Sequence, residues 1–402
     1  MKRRSDSIPG YLPVLDGIRA LSVVLIWVFH VWQQSWVWWN IKTPDGSTLF
    51  SLSVFQQCGY VAVDVFFVLS GFCLFYPIAR SMFGEGKPIN WKDFYIKRAK
   101  KILPSYFFIL LVLFFVKDLG YMNTYDFKEG FRQFAKAMTF TSTTDVMSYG
   151  GLVATSWTLC VEVQFYLLFP VIAWLFRKKP VLSCLGIGVL SVLFRLWAVT
   201  NMTLGSVAQG VVFFYLDLFA YGMIAAYAVV WAKKNLNKMD KLKLPMTLIA
   251  IVCLYVIYLY MKWMLRANVP GLDSPALQRF VYRPLLDLPI ALFIFVSCFS
   301  FNFWQKGIWG NRLFVFLSTI SYNFYLWHQN IHIYMKRHPV TSLFTLEDAA
   351  NHTHEPMIWY TLVTLAISLI IATAVTYLLE KPMYQYGFVG YFKHIANKLK
   401  RK

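Results

Sequence analysis

Apolar runs of membrane-crossing length recur along the whole chain, separated by short polar or basic stretches. Ten of them predict helices, over approximately 18–39, 58–79, 101–119, 156–176, 181–200, 207–231, 244–262, 284–303, 313–335 and 357–379. A span of this kind needs about 20 mainly apolar residues, because a helix rises about 1.5 Å per residue and satisfies its own backbone in lipid. The first run is not merely greasy. Its 22 residues between Arg19 and Lys42 hold no Lys, Arg, Asp or Glu, yet Asp16 and Arg19 stand at its entry and His30 lies roughly halfway along. Arg19 and His30 are 11 residues apart. At about 100° and about 1.5 Å per residue they fall on nearly the same face, about 16 Å apart in depth. Two readings stay open at this point: a functional track facing the protein interior, or an anchor arginine with a buried histidine bonded to a neighbouring helix.

Composition narrows the class. Of the 402 residues 58% are hydrophobic and only 14% charged, well below the about 25% of soluble domains. The expectation is an all-α integral membrane protein of about ten transmembrane helices, multi-pass in the plasma (inner) membrane, with no separate soluble domain. The opening MKRRSDSIPGYLPVLDG leads straight into a full-length span, so no cleavable leader is expected. In a soluble protein the net charge of +20 would point to nucleic acid. Here it follows from basic cytoplasmic loops. With the N-terminus inside, inner segments carry 27 of the 39 Lys and Arg and outer ones 11, which predicts both termini cytoplasmic. Trp36, Trp38, Trp39 and Trp157 mark the outer interface, and Pro104 is suited to open the third helix. The outer loop 120–155 is polar and is a candidate cover for an external opening. The six cysteines read as buried thiols, with neither disulfides nor a metal site. His338, His352 and His354 share an outer loop, but their spacing is not that of a metal site, so they read as solvated and no metal is expected.

Depth sorts the ionisable residues inside the spans. Asp64, Glu162, Arg195, Asp287 and His328 fall in the outer half, and Asp217 near the middle of its helix. Each would be costly against lipid, so each is expected to face the bundle interior. Together they predict a polar central cavity opening outward. Beneath it Arg19, Lys97, Arg98, Lys100 and Lys101 make a basic floor suited to phosphate, unless they serve only as the usual cytoplasmic anchor. A histidine between the two is placed to take a proton from an acceptor. No GxSxG, HExxH, GxxxxGK[ST] or CxxC pattern occurs. Ser70 in LSGF reads as a small residue at a helix contact, and Cys160 as a thiol without a demonstrated base.

Six stretches in order, RALSVVLIWVFH (19–30), GYVAVDVFFVLSGF (59–72), KRAKKILPSY (97–106), SWTLCVEVQFYLLFP (156–170), SYNFYLWH (321–328) and EKP (380–382), resemble acyltransferase family 3. The resemblance extends over nearly the whole chain. It implies an acyltransferase domain over 1–380, followed by a basic cytoplasmic tail, 381–402. The implied enzyme moves an acyl group, usually acetyl, from cytoplasmic acyl-CoA to a hydroxyl of an outer-face acceptor such as a glycan. It also implies that the Arg-x10-His pair, here Arg19 and His30, is essential, and that Lys97 and Arg98 act in donor binding.

The expected mechanism docks acetyl-CoA as donor substrate near Lys97, Arg98, Lys101 and Arg19. His30 then acts as general base on the acceptor, or first receives the acyl group. Asp64 and Glu162 are candidates to orient His30 or bind acceptor hydroxyls, or else form a structural network between helices. The expected partners are acyl-CoA, a glycan or other hydroxyl-bearing acceptor, and the bilayer, with no nucleic acid. A separate extracytoplasmic enzyme is a further candidate partner. The rival readings are a secondary transporter relaying protons through the buried charges, and a non-catalytic polysaccharide export component.

Overall fold

The computed structural model describes residues 10–36, 39–43, 48–116, 119, 126–144, 151–201, 205–236, 239–266, 283–338 and 354–399. Its helices are α1 (Pro13–Ser35), α2 (Ser53–Cys58), α3 (Ala62–Met82), α4 (Trp91–Phe115), α5 (Phe127–Met138), α6 (Ser156–Lys178) and α7 (Pro180–Thr200). They continue with the single turn α8 (Gly205–Ala208), α9 (Leu216–Asn235), α10 (Met239–Arg266), α11 (Arg283–Ser297), α12 (Arg312–Arg337), α13 (His354–Val375) and α14 (Lys381–Leu399). A short antiparallel hairpin, Asn40–Lys42 with Thr48–Ser51, is the only strand structure among the described residues. Each of the ten apolar runs falls on a helix. Seven helices among the described residues are long and apolar enough to cross a membrane. Of the other three, α4 has a basic first half, α11 is short, and α12 is interrupted by polar residues.

The chain divides into two compact units. The first holds α1 as far as Trp32, the hairpin, α2, α3, α6 from Val161, α7 to α11, and the start of α12. Its centre is the contact of α3 with α9. A Cβ added at Gly222 would overlap the Val68 carbonyl oxygen, and one at Gly71 the Phe219 carbonyl. Without side chains at these two points the backbones meet, which is how helices gain dispersion energy where no hydrophobic drive separates protein from lipid. Aromatic rings close the junction: Phe165 of α6 stacks on Phe219 at 3.9 Å, and Phe67 lies 5.0 Å from the same ring. The outward residues of α7 and α10, among them Leu185, Val189, Val252 and Tyr255, are exposed and apolar, as a lipid-facing surface requires.

The second unit holds α4, α5, α6 up to Cys160, most of α12, α13 and α14. Sequence placed the start of its first helix near Pro104, but α4 begins at Trp91. Asn90 caps it there, accepting from the Lys92 and Asp93 amides at 3.0 and 3.3 Å, so Pro104 lies inside the helix. The polar segment 120–155 contains a helix that the apolar runs do not reveal. Asp126 caps α5 through the Lys128 amide, and Tyr106 of α4 donates to the Ala137 carbonyl at 3.0 Å. The sequence 381–399 is helical too, with a break where Gly387 adopts φ +73°.

Replacing Gly222 with Leu must push α9 off Val68. Overpacking of this kind costs about 1–3 kcal/mol even where side chains can yield, and here the obstacle is backbone. The variant is expected to show a clearly lowered unfolding midpoint in detergent, whereas Gly188→Leu, at a site with open space around its Cβ, leaves it unchanged. A second expectation concerns α5. Hydrogen bonds from Arg132 first, and then Gln133, pull the Glu129 carboxyl down to about 2. A lowered acid adds stability above its unfolded value, about 4.3, and loses it as pH falls toward its folded one. Amide exchange in α5 should accelerate between those two values, and salt should shrink the effect.

Candidate functional site

In the first unit α1 opens on Pro13, whose missing amide hydrogen is no loss in a first turn. Asp16 follows as the centre of a small network. It accepts from Tyr11, accepts from Ser318 Oγ at 2.7 Å, and faces the Arg19 guanidinium at 3.9 Å. Gly17 lets this turn lie against the Trp309 carbonyl, where a Cβ would overlap. Arg19 is thus held at the end of its helix, a third of its side chain still exposed, with Nη2 at 3.7 Å from Cys73 Sγ of α3.

The pairing of α1 with α3 is antiparallel. Arg19 meets Cys73 at one end, while Leu25 and Phe29 meet Gly59 and Tyr60 at the other, with the Phe29 and Tyr60 rings 5.5 Å apart edge to face. Gly59 is required at that end because a Cβ would strike the Leu25 carbonyl oxygen. Counting back from Cys73 at equal rise puts Asp64, which is buried, within about a turn of the level of His30. Glu162 comes in from α6 between the two ends. Its Oε1 accepts from Ser70 of α3 at 3.0 Å and from Tyr166 at 2.5 Å. The half-buried His30 ring lies 5.1 Å from that of Phe29. Arg19, Glu162 and Asp64 with His30 therefore occupy three successive levels along one helix pair. Sequence proposed Glu162 as a partner of His30 or of acceptor hydroxyls; its protein partners are Ser70 and Tyr166. Ser70 is thus a hydrogen-bond donor as well as a small contact residue, and no catalytic motif marks Tyr166. The one available signal was position: Glu162 and Tyr166 are four apart and share a helix face.

The remaining buried charges of this unit are spent within it. Arg195 of α7 donates Nε to the Phe214 carbonyl at 2.8 Å and pairs with Asp217 of α9, both almost wholly buried. Asp217 also accepts from the Leu218 amide at 3.0 Å. This pair ties α7 to the first turn of α9. Asp287 of α11 is also fully buried.

The basic residues Lys97, Arg98 and Lys101 belong to the second unit. Lys101 pairs with Glu380, which also accepts from Asn323 Nδ2 at 2.7 Å; Asn323 donates as well to Thr376 at 2.8 Å. Tyr322 donates to the Ile102 carbonyl at 3.0 Å. Three of the six stretches that carry the resemblance, through KRAKK, SYNF and EKP, thus meet in one polar knot, and a wide π-helical turn over Thr376–Glu380 aims the carboxylate into it. Lys101 is therefore occupied by an ion pair. Arg98 lies 5.8 Å over the Phe94 ring. His328 and His332 of α12 are fully buried, their rings 6.0 Å apart, and His328 Nδ1 sits 2.9 Å from the Tyr325 carbonyl. The six cysteines are free thiols, five buried and Cys73 half-buried. Among the described residues no group of three potential metal ligands occurs. Of the three histidines, His338 follows α12 and His354 opens α13, while His352 lies outside the described residues.

An acyltransferase-domain family matches residues 12–377, and the chain belongs to that family. It is 24% identical to the peptidoglycan O-acetyltransferase OatA of Listeria monocytogenes over 99% of this chain and 60% of that protein. It is 28% identical to the O-acetyltransferase OatA of Staphylococcus aureus over 43% of this chain and 26% of that one. The chain thus spans about three fifths of the length of the Listeria relative. No solved structure matches it.

The Arg195–Asp217 pair tests how buried charge is handled. Removing one partner of such a pair costs about 3–5 kcal/mol, because the other charge stays buried alone. Arg195→Met is therefore expected to lower thermal stability in detergent sharply, and Arg195→Met with Asp217→Leu to recover most of the loss. Equal losses in the single and double variants would mean that the pair is not the source.

Proposed function

We propose that this chain is the membrane-embedded part of an O-acetyltransferase. In this reading acetyl-CoA enters from the cytoplasm and its acetyl group leaves on a hydroxyl of a cell-envelope glycan at the outer face. The observation that carries the reading is the antiparallel α1–α3 pair, which sets Arg19, Glu162 and His30 at successive heights. Family membership supports the reaction class, and the names of the relatives support a peptidoglycan acceptor.

The roles follow from spacing. Arg19, partly exposed and oriented by Asp16, offers its guanidinium to a phosphate of the donor. For Lys97 and Arg98 a part in donor binding rests on the family resemblance alone, and Lys101 contributes mainly through its bond to Glu380. With the phosphates at Arg19 the thioester reaches about 16 Å further, the axial distance to His30. His30 takes the proton of the acceptor hydroxyl as the oxygen attacks the thioester carbonyl carbon. The new C–O bond forms as the C–S bond breaks, and the histidine returns its proton to the CoA thiolate. Asp64 is buried at a similar height, but nine residues from Cys73 it lies on the opposite face of α3, so no contact with the imidazole is assigned to it. Glu162, with Ser70 and Tyr166, lines the passage midway and gives the acyl-bearing arm hydrogen-bonding partners. An extracytoplasmic enzyme acting after transfer accords with the extra length of the relatives.

Purified protein in proteoliposomes, given labelled acetyl-CoA and muropeptides, should transfer label and release CoA. His30→Ala is expected to cut transfer by about 10²–10⁴-fold, the usual worth of a general base, while leaving expression and acetyl-CoA binding near wild type. Arg19→Gln should chiefly weaken acetyl-CoA binding. Full transfer by His30→Ala would end the assignment, and gradient-driven uptake without CoA release would favour a transporter.

A further inference from the structure

The amphipathic helix α5 plays no part in the chemistry above, and its surface divides into three strips. Gln133 and Ala137 are buried against the second unit, and Phe134 packs on Phe114 of α4 at 4.7 Å. On the opposite flank lie Lys128, Glu129, Arg132 and Lys136, three cations to one carboxylate, with Glu129 ion-paired to Arg132. Between the flanks runs a strip that touches no packed core. Phe127 and Phe131 are 68% and 54% exposed, and Ala135 continues their line one turn on. Two large aromatic rings held open on a well-formed helix are unfavourable in water, at about 25 cal/mol for each Å² left wet.

The strip is not isolated. Phe108, Leu111 and Phe115 form an exposed apolar stripe along α4, with Phe115 at 76%. Spaced three and four apart, they share one helix face. That stripe reaches the end of α4 where Phe114 touches Phe127, their rings 6.2 Å apart. One apolar surface therefore runs down the apolar half of α4 and turns onto α5, with cations along its far edge.

We infer that α5 lies in the membrane interface, Phe127 and Phe131 dipping into the acyl region and Lys128, Arg132 and Lys136 meeting anionic lipid headgroups. The occupant is the lipid of the leaflet at which α4 ends. Continuity with the α4 stripe identifies the apolar partner and the net positive flank its headgroups, as for helices that rest on a bilayer rather than cross it. The consequence is a fixed level for the segment that follows α4, since α5 is clamped to lipid on one side and to Tyr106 on the other.

The test places a photo-cross-linking phenylalanine analogue at Phe131, at Phe115 as a lipid-facing reference, and at Lys128. The full-length protein is reconstituted in vesicles of phosphatidylglycerol and phosphatidylcholine. Illumination should give a phospholipid-sized mass increase at positions 131 and 115 and little at 128, with the yield at 131 falling when phosphatidylcholine is used alone. Because the analogue resembles Phe, folding is kept, and the adduct at 115 verifies insertion. A dimer-sized product at 131, or none there while 115 reacts, overturns the proposal: the first means that a second copy covers the strip, the second that it faces water. Acetyl transfer does not enter the readout, so the outcome is independent of the reaction proposed above.

Discussion

A charge taken out of water must be answered, and in a chain that is 58% hydrophobic that requirement governs where every ionisable side chain ends up. Leaving an ion unpaired in an apolar interior costs several kcal/mol, more than a single helix contact returns. The fold meets it by letting the partners come from different helices. Arg195 of α7 finds Asp217 of α9, and Lys101 of α4 finds Glu380 beyond α13. Such pairs fix which helix faces which, something apolar contacts against lipid specify weakly. The glycines at 71 and 222 then let the selected faces close to backbone contact.

The same requirement explains what was legible in the sequence. Apolar runs report helices because lipid permits little else, so all ten fell on helices. Isolated ionisable residues inside those runs reported buried polar sites, and Asp64, Arg195, Asp217 and Asp287 are all buried. What could not be read was who answers whom. Glu162 to Ser70 spans 92 positions and Lys101 to Glu380 spans 279, and no local pattern encodes such distances. The motifs EKP and SYNF were visible as words, yet their shared purpose, holding Lys101, needed the fold. The helix α5 was missed for another reason. Its apolar positions, Phe127, Phe131, Phe134 and Met138, follow a helical period, but its charges disqualify it as a span. The start of α4 was misplaced because Pro104 drew the boundary that Asn90 in fact sets.

The ion pairs also sort the cations by what they have left to give. Arg195 is almost wholly buried, its Nε and Nη2 committed to a carbonyl and a carboxylate; a ligand would have to displace both, at the cost of exposing Asp217. Lys101 has one strong partner in a carboxylate that is itself held by Asn323. Arg19 differs from both. Its nearest carboxylate oxygen is 3.9 Å away and is shared with Ser318, and its closest other partner is a thiol at 3.7 Å. Five N–H groups are therefore oriented by their surroundings but not consumed by them.

That distinction bears on why a guanidinium stands at this position at all. An arginine serving only as an interfacial anchor needs no particular rotamer, since its charge snorkels to water from many. Arg19 is instead steered from two sides, by Asp16 on its own helix and by Cys73 on α3, and Asp16 is itself fixed by Tyr11 and Ser318. Ordering a long side chain costs rotamer entropy, and an exposed ion pair at 3.9 Å returns little of it. The expenditure makes physical sense where a rigid, under-bonded fork of donors must await an anion, because a group already ordered binds its ligand without meeting that cost again. On the function proposed above, that anion is a phosphate of the acyl donor, with Glu162 and then His30 following at greater depth.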